Sequence, residues 1–169
     1  ITEGGLNMGR NMVSERDMLE IHCKPFQCAI TEAGLKSVMN SYCSVNGEPV
    51  VGSKKMLTDI LRGELGFRGF VVSDYLSVDR LVDPFAVADS YEKAGVKALM
   101  AGLDVEYPRP KGFGYHMKKE VDAGNVSMDV IDRAVKRVLT QKFELGLFEN
   151  PFPNEENLKR HLHMKTTEE

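Results

Sequence analysis

The chain has 169 residues, enough for one ordinary domain, and its 42% hydrophobic and 28% charged residues are the proportions of a globular fold rather than a disordered tail. A formal charge of only -3, with acids and bases interspersed, implies neither a nucleic acid nor an anionic membrane as partner. The longest apolar runs fall far short of the roughly 20 residues that cross a bilayer, and the opening ITEGGLNMGR lacks the basic and apolar regions of a signal peptide, so the chain reads as starting inside a longer protein.

After this Gly-rich opening, residues 13–34 begin with Ser14 and Asp17 spaced as a capping box and continue with apolar residues at helical intervals. Pro25 is expected to kink this helix and Gly34 to end it. LKSVMNSY follows as a short strand, and CSVNGEPVVGS as a loop punctuated by Asn46-Gly47 and Pro49. Met56, Leu57, Ile60, Leu61 and Leu65 then form one apolar stripe, the mark of a helix that Gly66 stops. GFVVSD is too short for a helix and reads as a strand buried on both faces. Asp83 and Pro84 can cap and start a helix over PFAVADSYEKAG, and VKALMAGLDVEY supplies a third apolar strand. GYHMKKEVDAG and SMDVIDRAVKRVLTQKFELG are helical; in the second, Ile131, Ala134, Val135, Val138, Leu139 and Phe143 trace one face, and Ser127 is placed to cap it, which accounts for the sequon-like NVS at Asn125.

Strands that alternate with helices and carry continuous apolar runs indicate a parallel sheet covered on both sides, hence an α/β fold. Three strands would leave two edges of unpaired backbone, to be paired by further strands on another segment or covered by a partner, and the chain reads as a piece of a larger α/β domain. Cys23, Cys28 and Cys43 are odd in number, lack CxxC spacing, and read as buried free thiols that leave the compartment undecided. His22, His116, His161 and His163 are scattered; the HLH of the tail has no carboxylate or thiolate at ligand spacing, and neither metal nor cofactor is expected.

Asp74 closes the GFVVSD strand with an aromatic directly behind it. In parallel α/β folds, and above all in (β/α)8 barrels, reactive groups gather at the carboxyl ends of strands, where a rigid element aims them. Metal binding, proton transfer, hydrogen bonding to a sugar hydroxyl and attack on a glycosidic carbon all use such a carboxylate, and so does the plain capping of the next turn; position alone does not choose. Asp104 and Glu106 form a second carboxylate pair at the end of the next strand.

The flanking residues narrow the choice. SVMNSYCSVNGEP, LTDILRGELGFRGFVVSDY, AGLDVEYP and DRAVKRVLTQKFELGLF resemble, in that order, the later part of the N-terminal (β/α)8 barrel of glycoside hydrolase family three, the retaining exo-acting β-glucosidases and β-xylosidases. The resemblance implies a partial TIM-type barrel of about the last three βα units over residues 1–150, with a linker or tail over 151–169. It implies that Asp74 is the catalytic nucleophile and that Met39, Tyr42 and Tyr75 line the sugar subsite. Such a nucleophile is ionised, attacks the anomeric carbon and forms a glycosyl ester that water then hydrolyses. Tyr42 offers a hydroxyl, Met39 and Tyr75 apolar walls for the ring. Because the family's acid/base comes from later domains or loops, Asp104 is expected to be a structural hydrogen-bonding group.

The family's sugar-gripping Lys-His pair is absent, and Cys43 stands where asparagine is more usual. The substrate implied is a β-glucoside or β-xyloside, the partners the remaining barrel and the C-terminal domain of the parent enzyme, and the fragment alone is expected to be inactive. Two other readings stand beside this one: a non-catalytic sugar- or partner-binding barrel piece, and an unrelated barrel enzyme gripping phosphate through Gly112 and Gly114 before a helix.

Overall fold

A computed structural model describes residues 3–162. The chain divides into two compact units, Ile1–Val138 and Leu139–Glu169. The first has a 3-10 turn at Glu3–Gly5 and then a short strand, β1 (Arg10–Asn11). Ser14 then caps α1 (Glu15–Asp17) as its spacing predicts: its hydroxyl accepts the Asp17 N–H at 3.0 Å and donates to the Asp17 carboxylate at 2.8 Å. The helix does not run on unbroken. A wider π-helical turn, Met18–His22, comes first, and α2 (Lys24–Thr31) restarts with Pro25 in its first turn, where a missing N–H leaves no bond unmade. Gly34, at φ 64°, ends it as expected, with the Leu35 N–H reaching the Ala29 carbonyl at 3.0 Å.

β2 (Ser37–Met39) is the predicted strand. The next segment is not simply a loop: β3 (Ser44–Val45) and β4 (Glu48–Pro49) form an antiparallel hairpin, and β1 pairs in parallel with β3. Asn46 and Gly47 adopt φ 50° and 88°, the two left-handed residues that a two-residue hairpin turn demands. The following helix, Lys55–Glu64, winds with π geometry, buries Leu57, Ile60 and Leu61, and stops at Gly66 as predicted.

β5 (Phe70–Val72) pairs in parallel with β2, Val38 opposite Val71. Only Val71 is fully buried; Phe70 and Val72 are half-buried, so the strand is sealed on one face and not on both. The third strand contracts to a single parallel bridge between Val72 and Val105. VKALMA belongs instead to α3 (Tyr91–Ala101), which starts after Ser90, not at Pro84. Ala86 at φ 51° rules out a helical path there, and the Ser90 hydroxyl accepts the Lys93 N–H at 3.3 Å. An apolar run does not distinguish a buried helix from a buried strand, and here Ala94, Ala98 and Ala101 spend it on a helix face.

α4 (Tyr115–Asp122) and α5 (Met128–Glu144) follow. The main core joins the Lys55–Glu64 helix, Phe67, Val71, Leu81, α3 and Leu103; a smaller one joins Leu99 of α3, Met117 of α4 and Ala134 of α5. α3 approaches the following loop so closely that a Cβ on Gly95 would sit 2.3 Å from the Gly112 carbonyl oxygen. The predicted α5 face is buried only in its first turns: Ile131 and Ala134 join the smaller core, whereas Val135, Leu139 and Phe143 are exposed.

In the second unit the rings of Phe143 and Phe148 lie 4.3 Å apart. The stretch read as linker holds a helix, α6 (Glu155–Leu162), capped by the Asn154 side chain on the Asn157 N–H at 3.0 Å. His163, one of the tail pair, lies outside the described residues. Cys23 and Cys43 are buried free thiols as expected, but Cys28 is exposed because its face of α2 carries no packing partner in the core. The architecture is α/β with parallel strands, and no described helix is long and apolar enough to cross a membrane.

Candidate active site

Because β2 and β5 are parallel and in register, their carboxyl ends stop side by side, bringing Met39 at the end of β2 next to the segment that leads to Asp74. Asn40 joins the two ends. It is buried; its Oδ1 accepts the Asp74 N–H at 3.3 Å, and its Nδ2 donates to the Ser41 carbonyl at 2.8 Å and to Ser77 Oγ at 3.2 Å. Asp74 Oδ1 accepts the Tyr75 N–H at 2.6 Å, while the Tyr75 carbonyl accepts the Tyr42 hydroxyl at 2.8 Å. The backbone N–H and C=O of Tyr75 thus link the carboxylate to the phenol. Behind it, Leu76 sits at φ 59°, a conformation that costs a non-glycine residue about 1–3 kcal/mol; its N–H is held by the Tyr107 carbonyl at 3.1 Å.

Asp74, Met39, Asn40 and Tyr42 line one cleft of about 730 Å³, whose floor is apolar and includes Val38, Leu57, Ile60 and Val71. Met39 is 60% exposed, a large apolar side chain at the cleft edge with no core role. Tyr75 is not among the lining residues. The residue is 55% exposed, and its ring lies 5.0 Å from that of Tyr107. A hydrogen bond to Tyr107, followed by the charge of Tyr107 and then burial, pushes its phenol up. Burial and the adjacent Asp74 carboxylate push the Tyr42 phenol up as well, against the opposing pull of Arg80.

Arg80 and Asn40 are the neighbours that sequence reasoning missed. Arg80 follows the loop after β5, in the short 3-10 turn Asp79–Leu81, and its guanidinium carbon stands 4.4 Å from the centre of the Tyr42 ring. Asn40 lies within the SVMNSY block that pointed to Met39 and Tyr42, so a polar residue just past a short strand was the available signal. For Arg80 the sequence carried no signal at all.

The second pair of carboxylates is committed elsewhere. Asp104, its side chain 1% exposed, accepts from Arg62 Nη2 at 2.7 Å, from Arg137 Nη1 at 2.9 Å and from the Val71 N–H at 2.8 Å. Burial lowers Arg62 to about 10 in spite of the Asp104 charge beside it. Glu106 accepts the N–H groups of Gly112 at 3.1 Å and Phe113 at 2.6 Å, and burial pushes its carboxyl up. Of the two loop glycines proposed to grip phosphate, Gly112 thereby has its amide occupied by an internal carboxylate, which repels an anion, and this speaks against the phosphate reading. Among the described residues no group of three His, Cys, Asp or Glu side chains is arranged to hold a metal ion.

Comparisons with known proteins bear on the whole arrangement. A β-xylosidase of Formosa agariphila is 38% identical over 151 residues, which is 86% of this chain and 21% of that protein. The lysosomal β-glucosidase of Dictyostelium discoideum is 39% identical over 143 residues, 84% of this chain and 17% of that protein. Among solved structures, a β-glucosidase of Erythrobacter marinus superposes with a TM-score of 0.89 at 31% identity, over 99% of this chain and 22% of that one. The chain therefore spans about a fifth of the length of these relatives. Residues 1–141 match the family described as the glycosyl hydrolase family 3 N-terminal domain, and the chain belongs to that family.

Proposed function

We propose that this chain contributes the nucleophile-bearing part of a (β/α)8 barrel in a retaining β-glycosidase that releases terminal glucose or xylose, with Asp74 as nucleophile. The observation that carries the reading is the meeting of Asp74, Met39 and Tyr42 in one cleft beyond the ends of two parallel strands. The succession of β2, the Lys55–Glu64 helix, β5, α3 and the Val105 bridge is compatible with consecutive units of such a barrel.

In this mechanism Asp74 attacks the anomeric carbon while an acid protonates the departing oxygen; water then cleaves the glycosyl ester with retention. The Tyr75 N–H anchors one carboxylate oxygen. Met39 supplies a soft wall for the ring, and Tyr42 a phenol beside the carboxylate. Tyr75 has a looser place in the proposal: its ring belongs to the rim, paired with Tyr107, where a leaving-group sugar can meet it. The acid is neither Asp104, whose oxygens are engaged by two arginines, nor Glu106, which serves backbone amides; it comes from other segments of the parent enzyme.

A dinitrophenyl 2-deoxy-2-fluoro-β-glucoside tests the reading without that acid, because its leaving group departs unprotonated. Peptide mass spectrometry is expected to find the fluoroglucosyl ester on Asp74, and none in Asp74→Asn. A label on any other carboxylate would overturn the assignment, and cleft binding without esterification would favour a sugar-binding module.

A further inference from the structure

Arg80 is placed in a way that folding alone does not explain. Its backbone is fixed: the N–H donates toward the Leu76 and Ser77 carbonyls at 3.3 and 3.2 Å, and the next residue, Leu81, is fully buried. Its side chain, however, forms no ion pair with a carboxylate among the described residues. One amino group meets the Met8 sulfur at 3.0 Å, a weak acceptor, and the buried Nε has no hydrogen-bond partner. What the guanidinium does have is the Tyr42 ring, 4.4 Å from its centre. An arginine that leaves a donor unsatisfied and still stands over an aromatic face is held by the ring and holds it in turn.

We propose that Arg80 is a positioning residue: by stacking on Tyr42 it keeps the phenol oxygen in its hydrogen bond to the Tyr75 carbonyl, and so beside the Asp74 carboxylate. Two charged groups face the phenol, and they act in opposite directions. Asp74 opposes its ionisation and Arg80 favours it. Without the cation the ring is free to rotate away from Asp74, and the phenol loses the only positive charge that faces it among the described residues. The consequence for turnover rests on the reading of Asp74 as nucleophile; the stack itself does not.

The test reads Tyr42 directly in the full chain, without any substrate. Tyrosine ionisation is followed by ¹³C NMR at the phenolic carbon, with Tyr42→Phe assigning the Tyr42 signal among the five tyrosines. Asp74→Asn is expected to raise the Tyr42 ionisation constant in the unaltered chain, and in the Arg80→Gln background that effect of Asp74 should shrink at least about 2-fold, because the phenol no longer stays beside the carboxylate. Arg80→Lys should recover part of that change, and Tyr91 and Tyr115 should not move. An effect of Asp74→Asn on Tyr42 that is undiminished in folded Arg80→Gln would overturn the proposal. A second measurement leaves Arg80 intact: with its guanidinium carbon 4.4 Å from the ring centre, its Nε and δ-methylene protons are expected to carry ring-current shifts that Tyr42→Leu abolishes, and their absence in the unaltered chain would overturn the proposal equally. Failure of Asp74 to accept a fluoroglucosyl label while these shifts persist would sink the glycosidase reading and leave the stack standing.

Discussion

At Asp104 a carboxylate with almost no solvent contact is balanced by two arginines, so removing one should strand buried charge. Arg62→Met is expected to cost about 3 kcal/mol, the low end for breaking a buried pair, because Arg137 still reaches the other oxygen. Urea denaturation measures it, and a loss below 1 kcal/mol would mean the pair is solvated. Glu106 gives a pH dependence of definite sign. Burial raises its carboxyl above the ordinary 4.5, so the folded chain keeps the proton to higher pH than the unfolded one. Its contribution to stability is present below 4.5 and is lost as pH rises through the folded value. The stability of the unaltered chain relative to Glu106→Gln should therefore fall as pH rises above 4.5, in urea titrations at each pH. Asp74 was legible because an apolar strand ended on it. Asn40 and Arg80 were not, since their roles lie in hydrogen bonds and a stack to residues more than thirty positions away.

Helix boundaries followed local chemistry where caps and stops were strong: Ser14, Gly34 and Gly66 each act as their residue type predicts. They failed where the signal was only apolarity. VKALMA has no period that separates strand from helix, and the outcome was settled by small residues that let α3 lie against its neighbours. The hairpin at Asn46-Gly47 was legible and passed over; its flanking strands are too short to show alternation, but the turn dipeptide was present. Two glycine substitutions separate packing from propensity. Gly95→Ala forces α3 away from Gly112 and should cost about 1–3 kcal/mol, as overpacking does. Gly63→Ala, on the exposed side of the Lys55–Glu64 helix with its nearest neighbour at 3.8 Å, should instead stabilise by up to about 1 kcal/mol. Thermal melts of the two variants should move in opposite directions; a shared direction would refute the packing account.

For the molecule as a whole, the proposed division of labour predicts weak chemistry. General acid catalysis contributes roughly 10²- to 10⁴-fold, and neither strand-end carboxylate beyond Asp74 is free to supply it. The chain by itself should hydrolyse an aryl β-glucoside at least about 100-fold more slowly than an intact family member, and a rate within 10-fold would require an acid among its own residues. The sequence alone determined the alternation of helices and parallel strands, the carboxylate at a strand end and the family, because backbone preference and ordered blocks of residues are local properties that a single chain displays. Only the tertiary structure decided which side chains meet. Asp104 is balanced by arginines 42 and 33 positions away, Tyr42 joins Asp74 through the backbone of Tyr75, and Tyr75 turns to Tyr107. Such partnerships depend on closing long loops and excluding water around particular groups, and no periodicity along the chain encodes them.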